Sequence, residues 1–322
     1  MGPKLMHPAV LLLPCQARAS EDYALVTPDL NAIVIGGSSL LMGAAHIAPS
    51  KDTLWTSSPQ PVTASDKEHS GYSVQPHVTL DAVLAVLSMG PVGISDALNY
   101  TNVSLIAQTY MSASDGTLLR PSRPLSWPDS VLYNMSHNAS YQDIRITHAA
   151  VSSSPQGNPS FISYYVVAWA TQHDVWLGGT DLFPTLSSLQ VAVRPHVFDN
   201  NTAHVGCVDG QPAVPSCVSF ANGGTDVLIP ATGTDVSDMS LTAVYTQACG
   251  GVYFLGELAK IVHVSPQRFS YVACGGNGPS GLLIGVIGTS NQLIHLISID
   301  ARGIVHTIDV VIPFVGFVEV EM

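Results

Sequence analysis

Charge is what this sequence has least of. Asp, Glu, Lys and Arg together make 11% of its 322 residues, where roughly 25% is usual in a soluble domain. Cations are scarcer still, because 11 Lys plus Arg stand against 23 Asp plus Glu, a formal net charge of -12. Such a surface repels a phosphate backbone instead of releasing its counterions, so no nucleic acid partner is expected. Low charge does not mean disorder here: a disordered chain combines high charge with few apolar residues, and 46% of this one is hydrophobic. Long apolar runs are missing too. None reaches the roughly 18 residues that a membrane helix needs, and the apolar C-terminal stretch is broken by His306, Asp309, Pro313, Glu319 and Glu321. The expectation is a soluble chain with no membrane span.

Several catalytic signatures are also absent. The 12 histidines form no H-E-x-x-H and the cysteines no paired C-x-x-C, so neither a metal site nor a cofactor is expected. The nearest approach to a G-x-S-x-G elbow is Gly93-Ile94-Ser95-Asp96, which lacks its second glycine. Gly276 to Gly281 spells a dinucleotide-binding pattern, but that pattern must open a helix. Leu282 to Ile287 follows with strand character, and Pro279 has no amide hydrogen to offer a phosphate. A hairpin turn is the reading.

The five cysteines are an odd number, with Cys207, Cys217, Cys249 and Cys274 in the C-terminal half and Cys15 apart. Four cysteines allow three full pairings. Cys207 and Cys217 flank Asp209-Gly210, where a hairpin would bring them together; buried free thiols are the alternative. Sequons for N-glycosylation stand at Asn99, Asn102, Asn134, Asn138 and Asn200, four of the five within forty residues. Lys4, the run Ala9 to Leu13 and Ala17-Arg18-Ala19 imitate a secretory leader, although the apolar core is short and flanked by Pro8 and Pro14. The compartment expected is extracellular or secretory, with the cytoplasm as the alternative.

Patterning divides the chain. Asp29 to Ile47, Thr79 to Met89 (capped by Thr79) and Val103 to about Met111 have helical spacing. The second is followed at once by Gly90 to Asp96, a short strand ending in a polar pair. That is the rhythm of a β/α unit. From about residue 140, Val-, Ile-, Tyr- and Thr-rich stretches alternate with Gly, Asn, Asp and Pro clusters: Phe161 to Thr171, Leu189 to Arg194, Leu241 to Thr246, Arg268 to Cys274, Leu293 to Asp300 and Ile304 to Val310. These read as an antiparallel β-sandwich. The expected class is α/β plus all-β: residues 1–125 a β/α segment, 126–139 a Pro-rich linker, and 140–322 the sandwich.

In β/α units chemistry sits at the carboxyl ends of strands, and the predicted strand ends carry acids: Glu21 with Asp22, then Asp52, then Asp96. Paired carboxylates are what glycoside hydrolysis requires. At these residues the sequence resembles the raffinose synthase and alkaline α-galactosidase group of retaining glycoside hydrolases and their animal relatives. Gln16 to Tyr23 (QARASEDY) is similar to the family's R-A-S-D-D-F/Y segment on barrel strand six. Ser38 to Gly43 and Pro49 to Ser57 resemble the next helix and the P-D-W-D-M-F-x-S strand seven. Gly90 to Asp96 (GPVGISD) is similar to G-G-P-V-Y-V-S-D on strand eight, and Asp115 to Leu119 parallels D-G-S-x-L. Order and spacing agree over residues 14 to 124.

The resemblance implies the last three β/α units of a (β/α)8 TIM barrel, a partial barrel, followed by the sandwich. It implies that Glu21 or Asp22 is the acid/base, and that Arg18, Asp52, Trp55 and Asp96 bind an α-galactoside or other oligosaccharide. The sequence departs from the family in two ways. Glu21 stands where the family has Asp, one methylene longer than a site preorganised to about 0.5 Å tolerates. The family's nucleophile lies on strand four, which has no counterpart here, and a retaining mechanism needs two carboxylates about 5–5.5 Å apart. The expected reading is a fragment or truncated member, inactive alone, or completed by a second chain that supplies the remaining strands. The alternative is a secreted, glycosylated β-sandwich that binds carbohydrate or protein without catalysis.

Overall fold

A computed structural model describes residues 51–61, 77–90, 92–109, 117–131, 133, 143–155, 160–182, 191–197, 219–220, 226–233 and 239–322, with Met42 and Ala45 singly. The described chain is mostly β-strand in sheets with few helices.

The first elements are β1 (Lys51–Leu54), α1 (Val78–Leu87), β2 (Val92–Ile94) and α2 (Val103–Thr109). β1 and β2 pair in parallel, with Lys51 opposite Val92 and Leu54 opposite Ile94. Parallel order follows from the crossover, because a connection holding a helix returns the chain to the same end. Every side chain from Leu80 to Leu87 is buried, as expected of a helix that is apolar all round. The cap of α1 lies two residues earlier than its pattern suggests, at His77 rather than Thr79, and Ser88 closes the helix by donating to the Leu84 carbonyl at 2.7 Å. Gln16 to Tyr23, which resembles a barrel strand, and the helix expected over Asp29 to Ile47 lie outside the described residues apart from Met42 and Ala45. The described part of the expected barrel is therefore one parallel pair.

The remaining strands are β3 (Asp143–Ser152), β4 (Ser160–Trp169), β5 (Val175–Leu177), β6 (Val191–Val197), β7 (Ser219–Phe220), β8 (Val227–Ile229), β9 (Met239–Thr246), β10 (Val252–Gly256), β11 (Phe269–Cys274), β12 (Leu282–Ile287), β13 (Leu293–Asp300), β14 (Val305–Val311) and β15 (Phe317–Glu321). Eight of them form one sheet in the order β15-β12-β11-β3-β4-β9-β6-β7, and β10-β13-β14 form a second. All their pairings are antiparallel except β11 with β3, which meet in parallel at Tyr271 and Ser152.

Alternation along β4 shows how the layers stack. Phe161, Tyr165, Val167 and Trp169 enter the core shared with Phe254 of β10, Leu296 of β13, Val310 of β14 and the α1 side chains. Phe254 stands edge-on to Phe269 at 5.1 Å and packs against Phe161 at 6.3 Å, so the two sheets interlock through aromatic rings. The opposite residues, Tyr164, Val166 and Ala168, join a second core with Leu177, Leu182, Val227 and Ile229 under the β5–β8 pair. Both faces of β4 are thus buried, which accounts for its nearly unbroken apolar sequence.

The segment 121–126, which runs up to the start of the expected linker, is bonded to the sheet. Ser122 donates to the His148 carbonyl at 2.8 Å, Ala150 donates to Ser122 Oγ at 2.8 Å, and Ser126 and Ile146 exchange hydrogen bonds at 2.8 and 2.7 Å. It covers the edge of β3 that β11 leaves open, and its prolines at 121 and 124 suit a segment that makes only intermittent ladder bonds.

Candidate functional site

The carboxyl ends of β1 and β2 are closed by a hydrogen-bonded clasp. Asp96, two residues past β2, accepts the Thr56 amide at 2.7 Å and Gln60 Nε2 at 2.9 Å on Oδ1, and the Thr56 hydroxyl on Oδ2. Gln60 returns Oε1 to the Ala97 amide at 2.9 Å, and Thr56 Oγ1 accepts the Asn102 amide at 2.7 Å. Asn102 in turn opens α2, its Oδ1 accepting the Leu105 amide at 3.1 Å; a side-chain oxygen satisfying an orphan helix amide is the common N-cap arrangement. Thr56 and Gln60 are buried while Asp96 is half-buried. The carboxylate is held by three donors of its own chain, which makes it a fastener for the strand ends.

Two cations join this half to the sandwich at helix C-termini, where exposed carbonyls and the helix dipole favour positive charge. Arg120 Nη1 donates to the Met89 carbonyl just beyond α1 at 2.7 Å, while its own backbone is gripped by Ser265 and Gln267. Lys260 Nζ donates to the Ala107 carbonyl in the last turn of α2. Burial lowers the pKa of both side chains from its ordinary value.

Beneath them lies a buried polar centre built by β4, β9 and the loop after β10. The Tyr245 hydroxyl and His263 Nδ1 lie 2.6 Å apart with their rings stacked, and the Tyr165 hydroxyl accepts the Val264 amide at 3.0 Å and meets Ser163 Oγ at 3.2 Å. Burial pushes the Tyr165 phenol up to about 12, against the pull of its hydrogen bonds. This centre was not legible in the sequence, since Ser163, Tyr165, Tyr245 and His263 sit on three separate segments with no motif linking them.

The sequence-derived site residues are placed as follows. Glu21, Asp22 and Arg18 lie outside the described residues, as do Asn134, Asn138, Asn200, Cys207 and Cys217. Asp52 is the second residue of β1 and not at its carboxyl end. Given the Leu54–Ile94 register, four residue steps separate it from Asp96, roughly 13 Å along the strands at about 3.3 Å each. The expectation that these two acids share one end is corrected: β1 spans Lys51–Leu54 and carries Asp52 near its start, whereas Asp96 follows the end of β2. Trp55 is half-buried at the strand end. Asn99 and Asn102 are exposed in the β2–α2 loop. Cys249 and Cys274 form a disulfide with Cα atoms 5.5 Å apart, one of the bonds that the three sequence pairings left open. It joins the β9–β10 turn to the end of β11, and so ties the two sheets.

Among the described residues no group of three or more His, Cys, Asp or Glu is arranged to hold a metal ion, and no helix is long and apolar enough to cross a membrane. Comparison with protein-family models and with curated proteins finds no match to this chain.

Proposed function

We propose that this chain is a member of the α-galactosidase and raffinose synthase-like group that is inactive alone, in which residues 51–109 carry the closing units of a barrel and the sandwich is their companion. The observation that carries this is the parallel β1–β2 pair joined by a crossover holding α1, with Asp96 where the resembled motif ends. The pattern of a polar strand end followed by a helix suits a barrel rim. The chemistry at that rim argues against turnover. Asp96 is consumed by Thr56 and Gln60, and Asp52 is offset along β1. Glu21 and Asp22 would then provide general acid assistance at most, about 10²–10⁴-fold, far short of a full glycosidase acceleration.

The pure chain, incubated with an aryl α-galactoside, is expected to release no phenol above the buffer rate. Release that Glu21→Gln or Asp22→Asn abolishes would overturn the proposal and show that another carboxylate has become the nucleophile. The Cys249–Cys274 bond supports a second element of the reading, a secretory or extracellular location, because disulfides persist in oxidising compartments.

A further inference from the structure

The β2–α2 loop holds two sequons, Asn99-Tyr100-Thr101 and Asn102-Val103-Ser104, and the structure treats them differently. Asn102 is engaged: its Oδ1 caps α2 through the Leu105 amide, its backbone amide is bound by Thr56, and its sequon is wound into the first helical turn. Asn99 sits at the tip of a turn closed by Tyr100 donating to the Ala97 carbonyl at 2.9 Å. Its φ of +68° is a conformation that asparagine tolerates better than most residues. Its side chain is exposed and makes no hydrogen bond among the described residues. The loop is fixed from below, because Ser57 Oγ donates to the Tyr100 carbonyl, so the Asn99 side chain is presented on a rigid platform.

The surroundings supply the second observation. Leu98 is 88% exposed, Val103 71% and Tyr100 45%. Exposed apolar groups that cluster mark a surface something covers. A sequon among these side chains names an occupant the chain itself can carry, and the secretory location proposed above is where that modification occurs.

We propose that Asn99, and not Asn102, bears an N-linked oligosaccharide that shields Leu98, Tyr100 and Val103. In the transfer, the Asn99 Nδ2 attacks the anomeric carbon of a lipid pyrophosphate-linked oligosaccharide. The C–N bond forms, the anomeric C–O bond breaks, the pyrophosphate leaves with the bonding electrons, and one amide proton is lost. This goes beyond the proposed function and rests only on its secretory element.

The test is the full chain, sent to the lumen of animal-cell secretory compartments by an appended cleavable leader, then mapped by glycopeptide mass spectrometry. Asn99 is expected to be occupied and Asn102 bare; Asn99→Gln and Thr101→Ala, which keeps the asparagine, should each remove the sugar, while Asn102→Gln should not. A bare Asn99, or sugar on Asn102, would overturn the assignment. Enzymatic removal of the glycan should raise binding of an apolar dye several-fold, and less so in a Leu98→Ser/Val103→Ser chain. Unchanged dye binding would overturn the shielding role. The galactoside assay is independent of all these readouts, so failure here leaves the enzymatic reading separately decided.

Discussion

Arg268 donates from Nε to Glu257 Oε2 at 2.9 Å, the two side chains being 1% and 9% exposed. The guanidinium also reaches the Ile287 carbonyl at 2.7 Å and Gln292 Oε1 at 3.0 Å, so one buried cation joins the loop after β10 to the end of β12 and the start of β13. Removing one partner of a buried pair costs about 3–5 kcal/mol, because the other charge is left in low dielectric. Glu257→Ala or Arg268→Ala is therefore expected to lower stability by that amount. Urea unfolding monitored by tryptophan fluorescence would read it, and a loss under about 1 kcal/mol would show that the pair is solvated.

At the clasp, Asp96→Ala leaves the Thr56 amide without its acceptor, at about 1–3 kcal/mol, while Gln60 Nε2 keeps its bonds to Ser57. Faster hydrogen exchange at the Thr56 amide, with β4 and β9 unaffected, is the expected signature. If exchange at Thr56 is unchanged, the carboxylate is not the fastener.

Alkaline pH should weaken the fold. Tyr165 is pushed up to about 12 by burial, and Tyr271 to about 12 by burial together with the carboxylate of Glu319, to which its hydroxyl donates. Both exceed the unfolded value of roughly 10, so above it the unfolded chain binds fewer protons than the folded one. Stability supplied by these phenols is complete below pH 10 and is lost as pH rises through 12. Melting temperatures taken at pH 8 to 12 should fall over that window, and less steeply in Tyr271→Phe.

Reduction of Cys249–Cys274 releases two segments 25 residues apart in sequence, and closing a loop of that size typically contributes about 2–4 kcal/mol. The Cys249→Ser/Cys274→Ser chain is expected to melt earlier by a corresponding margin, with its β-sheet circular dichroism retained. An unchanged melting temperature would show that the bond adds nothing to the sandwich.

Gly256 ends β10 at φ +76°, and a Cβ there would lie 2.2 Å from the His263 carbonyl oxygen. Because that oxygen accepts the Glu257 amide, it has no room to retreat. Gly256→Ala is expected to be among the most damaging small substitutions, above about 3 kcal/mol, whereas the 92% exposed Phe314 should tolerate Ser within about 0.5 kcal/mol. Denaturation midpoints of the two variants decide this.

Much of the sandwich was legible because its strands obey local rules. Leu282 to Ile287 and Leu293 to Asp300 match β12 and β13 end to end, and the Gly276 to Gly281 segment is the hairpin turn, Gly275 donating to the Gly281 carbonyl. Other limits moved where tertiary contacts decide. The pattern of β6 ends at Arg194, before Pro195, yet the strand runs on to Val197, because β9 continues alongside it with Thr242, Leu241 and Ser240 opposite Pro195, His196 and Val197. At the clasp, Asp96 could be singled out as a strand-end acid, but its donors lie 36 and 40 residues away in sequence. No periodicity connects them. The same holds for Glu257 and Arg268, whose pairing depends on a loop folding back through the Glu257–His263 backbone bond.

The order of strands in the large sheet also sets a timetable. β3 and β4 are neighbours in sequence and pair along ten residues each, so they can form a hairpin early. Their flanks come from far downstream: β9 docks beside β4 and β11 beside β3. Each docking must first close a long stretch of chain, an entropic cost that precedes its reward. A sheet assembled outward from a central hairpin by such late arrivals belongs with the slow folders, in milliseconds to seconds. Until β9 arrives, the outer edge of the apolar strand β4 stays open to other copies of the chain, so recovery on refolding should fall as protein concentration rises.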